Sequence, residues 1–267
     1  MFWSRNKSVG ATATVPPPAI DPDTIAPSGW HRTREFLWQL PRNLTHWEKV
    51  EPKGRKSGPP AIVLPGFMST DRSTQQLRRA LARHGWRVHP WGLGMNKGAR
   101  AGLLEELEAR LDMIGGGSKV MVVGWSLGGL YARELAHRYP DKVRAVATLA
   151  SPFCGDLKTN NNVRWLYERV AGHDVNEPPF ERFEHKPPVP TMAFWSRKDG
   201  IVAPHAARGE DGHCDCAIEI DTHHMGFAIW RPALSQIMRH MHDFLAEHEG
   251  APPTKGMWRK RDRIRGR

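Results

Sequence analysis

The sequence predicts an α/β fold: a mainly parallel central sheet covered by helices on both faces, with a small cap insertion. Two observations carry it. Short apolar runs alternate, from about residue 58 to 248, with segments whose apolar residues recur at helical spacing. One such pair meets in Gly124-Trp125-Ser126-Leu127-Gly128-Gly129, a G-x-S-x-G turn between a strand-like run and a helix-like run.

The elements follow in order. Ala61–Leu64 reads as a short strand ending at Pro65-Gly66. Ser73-x-x-Gln76 has the form of a capping box, and Leu77, Ala80 and Leu81 form the apolar stripe of the helix it opens. Gly85 stops that helix, and Trp86–Trp91 returns as a strand. A helix near Arg100–Ile114 carries Leu103, Leu104, Leu107 and Leu111 and ends at three successive glycines. Lys119–Val123 is a buried strand, Leu130–Ala136 a helix, and Val143–Leu149 the next strand. Pro190–Trp195 and Ala217–Ile220 are further strands, and Pro232–His248 is the closing helix. Residues 154–188 form a polar insertion with one helix-like patch, Val163–Tyr167.

Outside this block the composition changes. Residues 1–57 begin with a Pro/Ser/Thr/Ala-rich stretch, pass through an amphipathic segment with Trp30, Phe36, Trp38 and Trp47, and end in a linker. Residues 249–267 form a basic tail, and from Lys255 to Arg267 only Asp262 opposes seven Lys and Arg. With the net charge of +11, that tail fits either a solvated end or weak contact with an anionic membrane surface. No zinc-finger spacing or RNA-binding aromatic pattern accompanies the charge, so no nucleic acid is expected. The oligomeric state is not legible. No apolar run is long enough to span a bilayer and the first residues lack a secretory apolar core, so the expected location is cytoplasmic, at most peripheral to a membrane. Cys154, Cys214 and Cys216 do not make a disulfide framework. His213-Cys214-Asp215-Cys216 lacks the usual zinc spacing, and its cysteines read as small core residues, so no metal is expected.

The G-x-S-x-G turn points to nucleophilic catalysis. A serine nucleophile needs a base to take its proton and a carboxylate to orient that base. Reactive groups in such sheets lie beyond the C-terminal ends of strands. Two stretches qualify: Lys198-Asp199-Gly200 after Thr191–Trp195, and Asp221-Thr222-His223-His224-Met225-Gly226 after Ala217–Ile220. His224 is preferred to His223 because it lies two residues before Gly226, where the chain turns into the final helix. Asp199 is preferred to Asp211, Asp215 and Asp221 because it alone directly follows a strand that could lie beside the serine turn, between the serine and histidine motifs. Backbone N–H groups of Leu127 and Phe67 are the expected oxyanion donors. The Gly-rich turn lacks both P-loop and dinucleotide spacing, which excludes nucleotide binding through it.

These residues resemble the α/β-hydrolase superfamily, in particular its lipase- and esterase-like members. The resemblance rests on Leu64-Pro65-Gly66-Phe67, Trp91-Gly92-Leu93-Gly94-Met95-Asn96, the 124–129 turn, Thr148–Phe153, the Asp199 turn and His224-Met225-Gly226-Phe227. It implies a Ser126–His224–Asp199 triad acting on carboxylic esters through an acyl-enzyme, without cofactor. Many members carry His-Gly where this chain has Pro65-Gly66, a departure that bears on substrate more than on mechanism. Acyl transfer, a thioester or polyester substrate, and a non-catalytic surface-binding role are the alternatives. Met68, Trp125, Phe153, Trp165 and Leu166, with Phe180 and Phe183, are the expected pocket residues, and they would equally suit the core of a small cap.

Overall fold

The computed structural model describes residues 58–155, 164–174, 176–183 and 185–249. The amphipathic segment expected before residue 57 and the basic tail beyond residue 249 lie outside them. Six strands form one sheet: β1 (Pro60–Leu64), β2 (Arg87–Pro90), β3 (Val120–Trp125), β4 (Val143–Leu149), β5 (Thr191–Trp195) and β6 (Cys216–Glu219). Their spatial order is β2-β1-β3-β4-β5-β6, and every neighbouring pair is parallel.

Alternation along β1 divides the core. Ala61 and Val63 face one side, with Met121 and Val123 of β3, and pack on α1 (Gln75–Arg83) and α7 (Arg231–Glu249) through Leu77, Leu81, Ile237 and Met241. Ile62 and Leu64 face the other, with Val120 and Val122. They pack on α2 (Leu103–Gly115) and α3 (Leu127–Arg138) through Leu107, Leu111, Ala132 and Leu135. The inner strands β1 and β3 are apolar on both faces because helices cover both, while the edge strands β2 and β6 are only partly buried. Between β4 and β5 the chain forms α4 (Arg164–Ala171), and after β5 come α5 (Pro204–Arg208) and α6 (Gly226–Ile229). Among the described residues, no helix is long and apolar enough to cross a membrane.

Two local expectations need correction. The helix after β1 begins at Gln75 with Thr74 as its N-cap, without a side-chain cap hydrogen bond. The Thr74 hydroxyl donates instead to the Asp71 carbonyl at 3.1 Å, and Ser73 lies in the preceding turn. Helix α2 begins only at Leu103, because Gly102 sits at φ 77° and breaks the helical path before it.

Candidate active site

Strand β3 runs straight into the turn at Ser126, whose φ is 54° and ψ −124°. A non-glycine residue with positive φ is strained, and surrounding contacts must hold it there. The Ser126 N–H donates to the Leu149 carbonyl at 2.8 Å, and its own carbonyl accepts the Gly129 N–H at 2.9 Å. Close packing explains the glycines on either side. A Cβ on Gly124 would collide with the Gly128 carbonyl, and a Cβ on Gly128 with the carbonyl oxygen of Leu64. Helix α3 therefore starts directly against β1 and β3, with Ser126 raised at the end of the sheet.

The carboxylate and imidazole come from the two loops that follow β5 and β6. Asp199 is 2% exposed and His224 4%. Their contact, Asp199 Oδ2 to His224 Nδ1, is 2.8 Å. The second carboxylate oxygen, Oδ1, accepts the Ile201 and Val202 N–H groups at 2.8 and 2.9 Å. Ser196 joins the two loops: its hydroxyl donates to the Thr222 carbonyl at 2.6 Å and accepts the Lys198 N–H at 3.0 Å. Trp125, next to Ser126, donates its indole N–H to the His224 carbonyl at 3.2 Å. Its ring lies 5.6 Å from the imidazole, centroid to centroid. The indole thus bridges the serine turn and the histidine loop.

The competing residues are held elsewhere. Nδ1 of His223 lies 3.0 Å from the Lys198 carbonyl. Asp221 pairs with Lys198. Asp215 accepts the Thr191 N–H at 2.8 Å and pairs with Lys186 at 2.9 Å. Asp211 is exposed in a turn.

The loop after β1 lies over the serine. A Cβ on Gly66 would stand 3.0 Å from Ser126 Cβ and 3.3 Å from the Trp125 ring. Among the described residues, neither the Phe67 N–H nor the Leu127 N–H has a hydrogen-bond acceptor. Leu127 is the first residue of α3, where N–H groups have no partner within the helix. Both are available to an incoming oxygen.

A small cavity of about 20 Å³ adjoins Leu127. It follows one face of α3 through Leu130, Tyr131 and Glu134, and Tyr167 and Phe180 from the β4–β5 insertion cover it. Tyr167 packs on Phe67, Leu127 and Leu130, with its ring 5.2 Å from that of Phe67. Its hydroxyl accepts the Ala99 N–H at 3.1 Å. Burial raises the Glu134 carboxyl above the usual range, against the opposing Phe183 N–H and the nearby arginines.

Of the expected pocket residues, Phe180 lines that cavity and the other described ones lie apart from it. Met68 is 43% exposed in the loop after β1, and Trp125 lies under the imidazole. Phe153 is buried with Cys154 and Ala193 beneath the Arg133 guanidinium, 4.4 Å from the ring centroid. Phe183 stacks on His137 at 4.6 Å. The side chains of Trp165 and Leu166 lie outside the described set. Tyr167, Leu130 and Tyr131 were missed; the i, i+3, i+4 spacing of Leu127, Leu130 and Tyr131 was the available signal. Of the three cysteines, Cys154 is buried, and Cys214 and Cys216 pack beside the core as half-buried residues.

Residues 59–178 match a family described as alpha/beta hydrolase fold. A stretch of 63 residues is 38% identical to pimeloyl-[acyl-carrier protein] methyl ester esterase from Salmonella newport, covering 24% of this chain and 24% of that protein. The match therefore spans about a quarter of the curated relatives' length. Among solved structures, the hydrolase MGS-MChE2 from a lagoon-sediment metagenome superposes with a TM-score of 0.53 and 19% identity, covering 74% of this chain and 94% of its own. Est1E from Butyrivibrio proteoclasticus gives 0.52 and 15%, covering 76% and 92%. At these identities the superpositions speak for the fold.

Proposed function

The chain belongs to the α/β-hydrolase superfamily, and from that premise we propose that it is a serine hydrolase cleaving carboxylic esters through an acyl-enzyme on Ser126. The observation that carries the reading is the buried Asp199–His224 pair, tied through the Trp125 indole to the turn that bears the serine. A buried carboxylate facing Nδ1 fixes the imidazole with its proton on that nitrogen and leaves Nε2 able to accept another. The oxygen is received by the Leu127 and Phe67 N–H groups, whose dipoles need no rearrangement as charge develops.

The reaction runs in two halves. Ser126 Oγ bonds to the ester carbonyl carbon while His224 Nε2 takes its proton, and the carbonyl electrons move onto the oxygen. As the carbon–oxygen double bond re-forms, the alkoxide leaves and takes the proton from His224. Water then adds to the acyl-enzyme, gives its proton to His224, and the carboxylic acid departs as the proton returns to Ser126 Oγ. Asp199 stays ionised throughout and stabilises the imidazolium. No cofactor takes part in this scheme.

The insertion between β4 and β5 serves as the cap, and the cavity along α3 takes the acyl group. Its 20 Å³ is little more than a single water requires, which favours short acyl chains. The esterase stretch shared with the Salmonella protein supports ester chemistry, in fewer than a quarter of the residues. A panel of p-nitrophenyl esters from acetyl to dodecanoyl, with and without anionic vesicles, tests the proposal. Acetyl to butyryl esters should turn over fastest. Absence of turnover on every ester removes the esterase reading, and stimulation by vesicles would add a role for the basic tail.

A further inference from the structure

The loop after β1 is held by one buried side chain that the chemistry above does not use. Asn96 is 0% exposed and lies in the loop after β2. Its Nδ2 donates to the Pro65 carbonyl at 2.8 Å. Its Oδ1 accepts the Gly98 N–H at 3.2 Å and the Tyr131 hydroxyl at 3.3 Å. Its backbone adds two more bonds to the same loop: the Met68 N–H donates to the Asn96 carbonyl at 2.7 Å, and the Asn96 N–H to the Ser69 carbonyl at 2.9 Å.

These bonds bracket the Phe67 N–H. The Pro65 carbonyl lies just before it and is fixed by Asn96. The Gly66 carbonyl, on the far end of the same peptide plane as the Phe67 N–H, accepts the Ser69 N–H at 3.1 Å. A peptide is planar, so anchoring its carbonyl fixes the direction of its N–H. Met68, the next residue, sits at φ 55°. For a non-glycine residue that conformation is unfavourable by about 1–2 kcal/mol, so the loop would relax without restraint. The Met68 N–H and Ser69 carbonyl bonds to Asn96 supply the restraint.

We infer that Asn96 is a positioning residue for the oxyanion donor at Phe67. The inference rests on the serine-hydrolase reading above. It also links the acyl cavity to the oxyanion site, because Tyr131, which lines that cavity, donates to the same Asn96 amide. Asn96 touches no reacting atom. It acts by keeping one N–H aimed at the place where negative charge forms.

Asn96→Asp isolates the role. It keeps the size of the side chain and both acceptor contacts, to Gly98 and Tyr131. Desolvation raises a carboxyl buried at this site, so kcat is followed from pH 6 to pH 10: once ionised, the side chain sets a carboxylate oxygen against the Pro65 carbonyl where the amide donated. The assay compares kcat and KM on a short-chain p-nitrophenyl ester, the rate of phosphonylation by a fluorophosphonate, and the melting temperature. Loss of a well-aimed oxyanion donor lowers kcat by about 10²–10³-fold, and misaiming one by tilting its peptide should lower it by about 10- to 100-fold. KM should stay within about twofold, because the ground-state carbonyl gains little from that donor. Phosphonylation, which also builds negative oxygen, should slow in parallel. Tyr131→Phe removes one bond to Asn96 and should lower kcat by about threefold with the fold intact. A folded Asn96→Asp protein with unchanged kcat overturns the inference; should that variant not fold, an unchanged kcat in Tyr131→Phe does so. A fall expressed only in KM also overturns it. A wild-type protein inert to both ester and fluorophosphonate removes the hydrolase reading and this inference together, whereas an active wild type matched by Asn96→Asp removes this inference alone.

Discussion

Replacing Asp199 by Asn separates orientation of the base from every other part of the site. Asp199 Oδ1 accepts two backbone N–H groups, from Ile201 and Val202, at 2.8 and 2.9 Å. An asparagine at this position must keep its carbonyl there. Turning it round would point an NH2 at two buried donors and lose about 1–3 kcal/mol for each left unsatisfied. The NH2 therefore takes the place of Oδ2, 2.8 Å from His224 Nδ1. Facing a donor, Nδ1 must accept, so the imidazole proton moves to Nε2. That nitrogen is then unable to take the Ser126 proton. Loss of the correct tautomer lowers kcat by about 10⁴-fold, which at 1.36 kcal/mol per tenfold is about 5.5 kcal/mol of transition-state stabilisation. The side chain keeps its size and its two amide contacts, so the melting temperature should move by no more than about 5 °C. The assay is steady-state turnover of p-nitrophenyl butyrate alongside thermal unfolding. A folded Asp199→Asn protein within about tenfold of wild type would refute the reasoning.

Three further outcomes follow from other parts of the molecule. Gly128→Ala places a methyl on the Leu64 carbonyl, with backbone on both sides; urea unfolding should show a loss of at least about 3 kcal/mol, and an unchanged midpoint contradicts this. Burial, with charge from His185, Arg133 and Arg138, holds the His137 imidazole down to about 4 from 6.5. The unfolded chain then binds more protons across that window, so stability is complete above 6.5 and lost as pH falls toward 4. His137→Gln, which keeps a donor for the His185 carbonyl, should lose less melting temperature over that range than wild type; an equal loss contradicts the assignment. Tyr167→Ala opens the cavity over Leu127 and Leu130, and should raise the octanoyl-to-acetyl turnover ratio severalfold. An unchanged ratio would detach that cavity from the acyl group.

What was legible in the sequence is what local signals encode. The strand, the small-residue turn and the helix around Ser126 are contiguous, so their pattern shows in a single window. The Asp199–His224 contact was foreseeable because each residue lies in a loop that follows a strand, and parallel strands deliver their following loops to one end of the sheet. Asn96 stood in a stretch that resembled the family, yet its role was invisible. Its partners Pro65 and Tyr131 lie 31 and 35 residues away, and no periodicity records such contacts. The Ser73-x-x-Gln76 pattern misled because Thr74, not Ser73, occupies the N-cap position and makes no side-chain cap hydrogen bond, while the nearby Asp71 carboxylate turns away to accept the Trp91 and Gly92 N–H groups at 2.9 and 3.1 Å. Helix α5 spans five residues, too few to show a helical repeat. In the insertion, Tyr167 went unread because only the packing of α4 on its neighbours shows that this residue meets Phe67.

The central claim is that Ser126 is a nucleophile activated by His224. Reaction of the intact protein with a fluorophosphonate, followed by peptide mass spectrometry, reads that directly. The account predicts one phosphonyl group, on Ser126, absent in Ser126→Ala and formed far more slowly in Asp199→Asn. No adduct, or an adduct on another residue that forms equally in Ser126→Ala, would contradict it.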